Sequence, residues 1–355
     1  MSAVTAARPR GPLPAIGLGL LSLLVTAAFG AAVLSVLGAS PLLAYRLIAA
    51  GAVGTPEHLS YVLAAGTPLL LCAAGLLVSF TAGLWNIGVE GQVVLGAVFA
   101  SGVLRALEHG SPPWAVVLLA GCAALVGGAL WGGLAGALRV YGNVHEIFGG
   151  LGLNFIAGSL TVYLVLGPWA RPGIASTSGT LPFPTTLWLP AFAAGPLVIP
   201  GEVLLALAAL ATVRAALRGT HFGLRLTAVG KSPRAAFLRG VPIAREMLSA
   251  CAVCGGLAGL AGFVLVTSAY SRHQLFPLIS GGDGFLAILV VLLANRSALA
   301  SLFISFFFAA ISTGGLQLPL QMQLDSSMSG VLEGMLVLTV LFLYGLRTRM
   351  VPRGR

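Results

Sequence analysis

Apolar positions in this chain form unbroken runs of about 18 residues or more, separated by short polar or glycine-rich joints. Segments of roughly ten residues alternating apolar with polar, the mark of a membrane barrel, do not occur. The pattern predicts ten spanning helices, at about 13–37, 60–81, 89–107, 114–138, 147–167, 197–217, 247–269, 279–294, 298–316 and 328–346. The expected fold class is therefore all-α and polytopic. The first run covers 25 residues, whereas the apolar part of a cleaved signal has roughly 7–15, so it is expected to stay as a span. Residues 1–12 precede it as a tail, 13–346 form the membrane domain, and 347–355 form a basic tail.

Each half of the domain has a polar, glycine-interrupted joint after its first helix: "GLWNIGVEGQ" at 83–92 and "LISGGDGF" at 278–285. Spans two to five and seven to ten start on opposite sides, so the halves read as two inverted repeats. Joints in corresponding positions of such repeats point to a transport site near the bilayer midplane. Polar groups at membrane depth are candidates for the pathway. These are Asn86, Glu90 and Gln92 in the first joint with Trp85 beside them, Asn154 in the fifth span, and Asp283 and Phe285 at the second joint. The structural alternative for Glu90 is an ion pair with a loop residue or a cap on its own helix. Glu333, early in the tenth span, is a further polar group at depth.

Composition agrees with a membrane protein: 58% of residues are hydrophobic and 8% charged, against roughly a quarter charged in a soluble domain. The net charge of +10 would suggest nucleic acid in a soluble chain, but no basic patch with interleaved aromatics exists, and nucleic-acid binding is not expected. Basic residues instead set topology. Of the 19 Lys and Arg residues, only Arg46, Arg105, Arg171 and Arg272 fall on one side, which places both termini in the cytoplasm. Residues 168–196 then form an outer loop, and 218–246 the longest cytoplasmic loop. The four cysteines lie inside apolar runs, and Cys251-Ala-Val-Cys254 reads as helix packing. The ridge of Gly128, Gly132 and Gly136, and the shorter one of Gly255 and Gly259, likewise indicate close helix packing.

Two motifs fail on their context. Gly230-Lys231-Ser232 imitates the end of a phosphate-binding loop, but Arg225 stands where the first Gly is needed, and Pro233 follows at once. The segment instead predicts a short helix: Ser232 as cap, Pro233 in the first turn, Gly240 as stop. Physics alone leaves a docking helix and a solvated loop equally open. "NVHEIFGG" places Gly149 where a second zinc-binding His would stand, so no metal is expected there; Glu146 suits a helix N-terminus instead. No nucleophile–base pair suggests an intramembrane enzyme.

"GLWNIGVEGQ" resembles the membrane subunit of ABC importers in the ribose, branched-chain amino acid and nucleoside group, closest to the longer permease of bacterial nucleoside importers. "PLLAYRLIAAGAVGTPEHLSYVLAAGTPLLL", "HEIFGGLGLNFIA", "TAVGKSPRAAFLRG" and "GGDGFLAILVVLLANRSALA" extend the resemblance over roughly 38–345. His145, Thr227 and Ser232 depart from the family pattern, and the outer loop has no match. The resemblance implies a nucleoside permease working by alternating access in the bacterial inner membrane. It implies that Gly230, Lys231, Ser232, Pro233, Ala235, Ala236, Phe237, Arg239 and Gly240 belong to a coupling helix of this chain that fits a groove on a separate ATPase, which would hold the ATP and Mg; no cofactor is expected in this chain. It further implies a second related permease, as heterodimer or homodimer, and a lipoprotein-type solute-binding protein outside, with membrane lipid around the whole. The rival expectations are an ABC importer of a ribose-like sugar or another small metabolite, and an ATP-independent secondary transporter using Glu90.

Overall fold

The computed structural model describes residues 13–36, 38–173 and 178–323, and beyond them 325, 327, 328, 330–335, 338, 339 and 342. Thirteen helices are described: α1 Leu13–Val36, α2 Pro41–Val53, α3 Pro56–Thr81, α4 Val89–Leu107, α5 Pro113–Val140, α6 Glu146–Leu166, α7 Glu202–Gly219, α8 His221–Lys231, α9 Pro233–Leu238, α10 Ile243–Thr267, α11 Asp283–Leu293, α12 Ala298–Gly315 and α13 Gln317–Met322. A single hairpin, β1 Ala191–Ala194 with β2 Leu197–Pro200, interrupts them before α7. Among the described residues, six helices are long and apolar enough to cross a membrane singly, up to eight if each sharply bent pair counts as one span. The fold is the expected polytopic all-α class.

Two expected spans take a different form. The sixth, expected from 197, starts as strand β2, and its helix begins only at Glu202. Gly195, at φ +65°, turns the chain so that Phe192 pairs with Ile199. The eighth is the 11-residue α11, about half the length needed to span. Of the tenth, 328–346, residues 328, 330–335, 338, 339 and 342 are described and helical; the rest of it and both tails lie outside the described residues.

The chain divides into two compact units. The smaller holds residues up to Val53 and from Ile311 on. Its core gathers Leu34, Ala44, Leu318, Met328 and Leu332. Gly51 and Gly314 let α2 and the end of α12 approach, and Ser312 donates to Glu333 at 2.5 Å.

The larger unit, Gly54–Ala310, is built around α3, which is buried on all sides along most of its length. A helix that is apolar all round belongs in the interior of a bundle. Beside it, α4 and α10 are mostly buried, whereas α5 and α6 keep broad exposed apolar faces. The two glycine ridges meet: Gly128 and Gly132 on α5 lie against Gly255 and Gly259 on α10, and Gly96 on α4 lies against Gly259 from another side. A methyl group on Gly132 would stand 3.0 Å from the Gly255 Cα. Backbone therefore touches backbone, the packing that membrane helices use where burial of apolar surface supplies no drive. Cys251 and Cys254 are buried free thiols in this contact region, as helix packing predicted.

Candidate functional site

The first joint is a break in the backbone between α3 and α4. The helix ends at Thr81, capped by Ala82; Gly83, at φ +78°, reverses the chain, and Leu84 N–H returns to Ser79 O at 3.0 Å. Residues 84–88 then form no regular element, so their polar groups need side-chain partners. Asn86 and Gln92 supply some of these to each other through a reciprocal amide pair: Asn86 Nδ2 donates to Gln92 Oε1 at 2.9 Å, and Gln92 Nε2 donates to Asn86 Oδ1 at 3.0 Å. Asn86 also donates to Cys254 Sγ of α10 at 3.0 Å. Asn154 of α6 bridges the break, donating to Ile87 O at 3.0 Å and accepting from Gly91 N–H at 2.8 Å. Gly150 lets α6 come this close; a methyl group there would lie 2.6 Å from Gly88 N.

The second joint closes on the first. Glu90, in the first turn of α4, accepts a hydrogen bond from Ser280 Oγ and, at 3.0 Å, one from Gly284 N–H. Its carboxylate thus sits at the N-terminus of α11, where exposed N–H groups and the helix dipole favour negative charge. Gly282 at φ +93° turns the chain into that helix. Neither alternative weighed for Glu90 describes this arrangement: it caps a helix of the other half.

All seven pathway candidates lie at this meeting point, in two groups. Asn86, Gln92, Asn154 and Glu90 spend their polar groups holding the joint, and Gln92 is fully buried. Trp85 and Phe285 are 47% and 41% exposed, and Trp85 lies against Phe80 at a 5.4 Å ring separation. Asp283 opens α11 and is partly exposed. Sequence reasoning missed Ser280, Gly284, Gly150 and Trp131. The Trp131 indole nitrogen is buried beside Gly91 without a hydrogen-bond partner. An indole in mid-span was the visible signal for Trp131; the others had none.

The false phosphate loop folds as the caps predict. Ser232 Oγ accepts from Ala235 N–H at 3.3 Å, Pro233 opens α9, and Gly240 stops it at φ +77°. Phe237 and Leu238 are 68% and 79% exposed, flanked by exposed Lys231, Arg234 and Arg239. Ala235 shares the open face, but Ala236 is buried beneath it. Gly230, the penultimate residue of α8, packs onto the first joint, against Thr81 O, with Gly83 directly behind. The loop 218–246 is thus largely helical. At its far end, buried Glu246 pairs with Arg225 at 3.0 Å. Glu146 takes the expected place in the first turn of α6 and pairs with Arg139 at 3.1 Å.

The loop 168–196 is tied to the segment after α10. Thr180 N–H donates to Leu275 O at 2.8 Å and Phe183 N–H to His273 O at 2.7 Å. Arg171 reaches both Thr180 O and Gln274 Oε1, and the Trp188 and His273 rings stack 3.4 Å apart. Burial pushes the His273 imidazole below its ordinary value.

A family model described as branched-chain amino acid transport system / permease component matches residues 58–341. The chain is 29% identical to the glucose ABC transporter permease protein TsgB13 of Haloferax volcanii, over 93% of this chain and 89% of that one. It is 26% identical to the guanosine ABC transporter permease protein NupP of Bacillus subtilis, over 95% and 94%. It is also 26% identical to the nucleoside ABC transporter permease protein NupB of Lactococcus lactis, over 85% and 82%.

Proposed function

The chain belongs to the family of branched-chain amino acid transport system permease components, and we propose that within it the solute is a nucleoside. The observation that carries this reading is the end-to-end match to a guanosine permease, supported by a nucleoside permease of a second organism. Trp85 and Phe285 offer aromatic faces on which a base can stack, beside the partly exposed Asp283. Asn86, Glu90, Gln92 and Asn154 form the wall that holds those faces in place. A second reading, a monosaccharide, is favoured by the glucose permease relative, since sugars also lie on aromatic rings.

The chain is a transport subunit, and the family works with an ATPase, a solute-binding protein and a second permease. In our reading both termini face the cytoplasm of a bacterial inner membrane, and the binding protein is a lipoprotein. The second permease completes the pore as a related chain, in a heterodimer or a homodimer. The partner ATPase holds ATP and Mg, and this chain carries no cofactor. Phe237, Leu238 and Ala235 form the apolar patch of α9 that docks on the ATPase, ringed by Lys231, Arg234 and Arg239. Movement of α9 reaches the first joint through Gly230. Alternating access then moves the Glu90 contact between the two halves.

Uptake of labelled guanosine by the reconstituted importer tests the solute. Competition by other nucleosides but not by glucose is expected; the reverse pattern overturns the nucleoside reading. Phe237→Ala with Leu238→Ala tests the docking patch. A loss of ATPase binding of about tenfold or more is expected, in line with the central apolar anchors of an interface. Unchanged binding removes α9 from that role.

A further inference from the structure

A groove of about 1230 Å³ opens between the end of α5 and the start of α10, away from the joint. Its floor is apolar, with Gly133 and Val140 on one side and Leu248 and Ala252 on the other. Pro233 and Phe237 of the α9 segment wall it. Arg139, Asn143 and Arg245 stand at the rim. Arg139 is already neutralised by Glu146, and Glu246, the acid next to Arg245, is taken by Arg225. Among the described residues Arg245 has no carboxylate partner, and it is exposed.

The groove therefore has one unneutralised cation at its mouth and an apolar floor running away from it. From Arg245 to Ala252 the floor extends about 10 Å at 1.5 Å per residue. At Gly133 the wall is open, with no atom within 4 Å of where a Cβ would stand. A soluble anion would gain nothing from that floor, and a purely apolar segment would leave Arg245 unanswered. An anionic head joined to hydrocarbon answers both, and basic pockets between helices on the cytoplasmic side hold such lipids.

We propose that this groove binds one anionic phospholipid of the cytoplasmic leaflet, its phosphate at Arg245 and the first part of an acyl chain along Ala252 and Gly133. The leaflet follows from the orientation proposed above. Because Phe237 lines both the groove and the open face of α9, the bound lipid braces the docking helix from beneath. Coupling then depends on the acidic lipid content of the membrane.

The test is lipid retained by the full importer after transfer from nanodiscs of mixed phosphatidylglycerol and phosphatidylcholine, read by native mass spectrometry, which needs no solute or turnover. One phosphatidylglycerol per copy of this chain is expected. Arg245→Gln should lower its retention at least fivefold, Ala252→Phe should do the same by filling the floor, and Arg218→Gln, outside the groove, should not. Equal retention of phosphatidylcholine, or retention unchanged in both groove variants, overturns the proposal. So does a photo-crosslinker at residue 252 that captures a partner subunit instead of lipid. Side-selective labelling of a cysteine placed at Arg239 reads orientation separately. An external label there overturns the leaflet, while lipid retention still reports on the groove.

Discussion

A methyl group built on Gly83 would stand 3.1 Å from the Gly230 Cα. The end of α8, one residue pair before the docking helix, is thereby seated in the break between α3 and α4. The contact runs backbone to backbone, so a displacement of one side has no side chain to absorb it.

Replacing Gly230 by Val therefore wedges the break and separates docking from transport. We expect the variant to insert and to bind its ATPase, while solute uptake falls about tenfold or more. Uptake and ATP hydrolysis measured on the same proteoliposomes decide this. Wild-type uptake would mean that movement of α9 reaches the joint by another route.

The contact between Glu90 and Gly284 is similarly tight, since a methyl group added to Gly284 would stand only 2.7 Å from Glu90 Oε2. Gly284→Ala should cost about 1–3 kcal/mol by overpacking. Glu90→Gln keeps the shape but removes the charge at the α11 N-terminus, costing about 0.3–2 kcal/mol. Thermal unfolding in nanodiscs gives both values, and a Gly284→Ala protein as stable as wild type contradicts the assigned contact.

The Asn86–Gln92 pair makes a third case. Asn86→Ala leaves a fully buried amide without its partner, at a cost of about 1–3 kcal/mol. Removing both side chains should cost less than the sum of the single changes. Additive losses in a double-mutant cycle would show that the two amides do not depend on each other.

Outside the membrane, His273 predicts a pH effect. Its ordinary value of 6.5 is lowered by burial against Trp188, so the unfolded loop binds more protons than the folded one. Stability of the loop 168–196 is thus full above 6.5 and declines as pH falls through 6.5 toward the lowered folded value. Amide exchange at Thr180 and Phe183 reads this directly. His273→Asn, which tolerates the φ of +54° at this position, should remove the dependence; a decline that persists in this variant overturns the assignment to His273.

What the sequence disclosed follows the range of the forces involved. Ser232, Pro233 and Gly240 act on their own neighbours, and their spacing alone foretold α9. Gly128, Gly132, Gly255 and Gly259 announced close packing, because only a missing side chain permits it. The meeting of Glu90 with Ser280 was not legible, since 190 residues separate them and neither carries a pattern naming the other. Residue type also left two uses of a buried amide open, and geometry shows Asn86, Gln92 and Asn154 bracing the backbone. The hairpin before α7 was hidden because Leu197, Val198 and Ile199 read as the start of an apolar run, whatever the secondary structure.

The bare crossings of α5 and α4 on α10 have a mechanical outcome. Helices that slide past one another do so by re-torsioning a layer of interlocked side chains, and at Gly128, Gly132 and Gly96 that layer is missing. Shear there would drive carbonyl oxygens into Cα atoms. Gly75 on α3 meets the Cys254 backbone of α10 in the same way, so these helices should swing together with α3 as one rigid lever whose pivots lie outside it, in non-helical stretches such as 268–282.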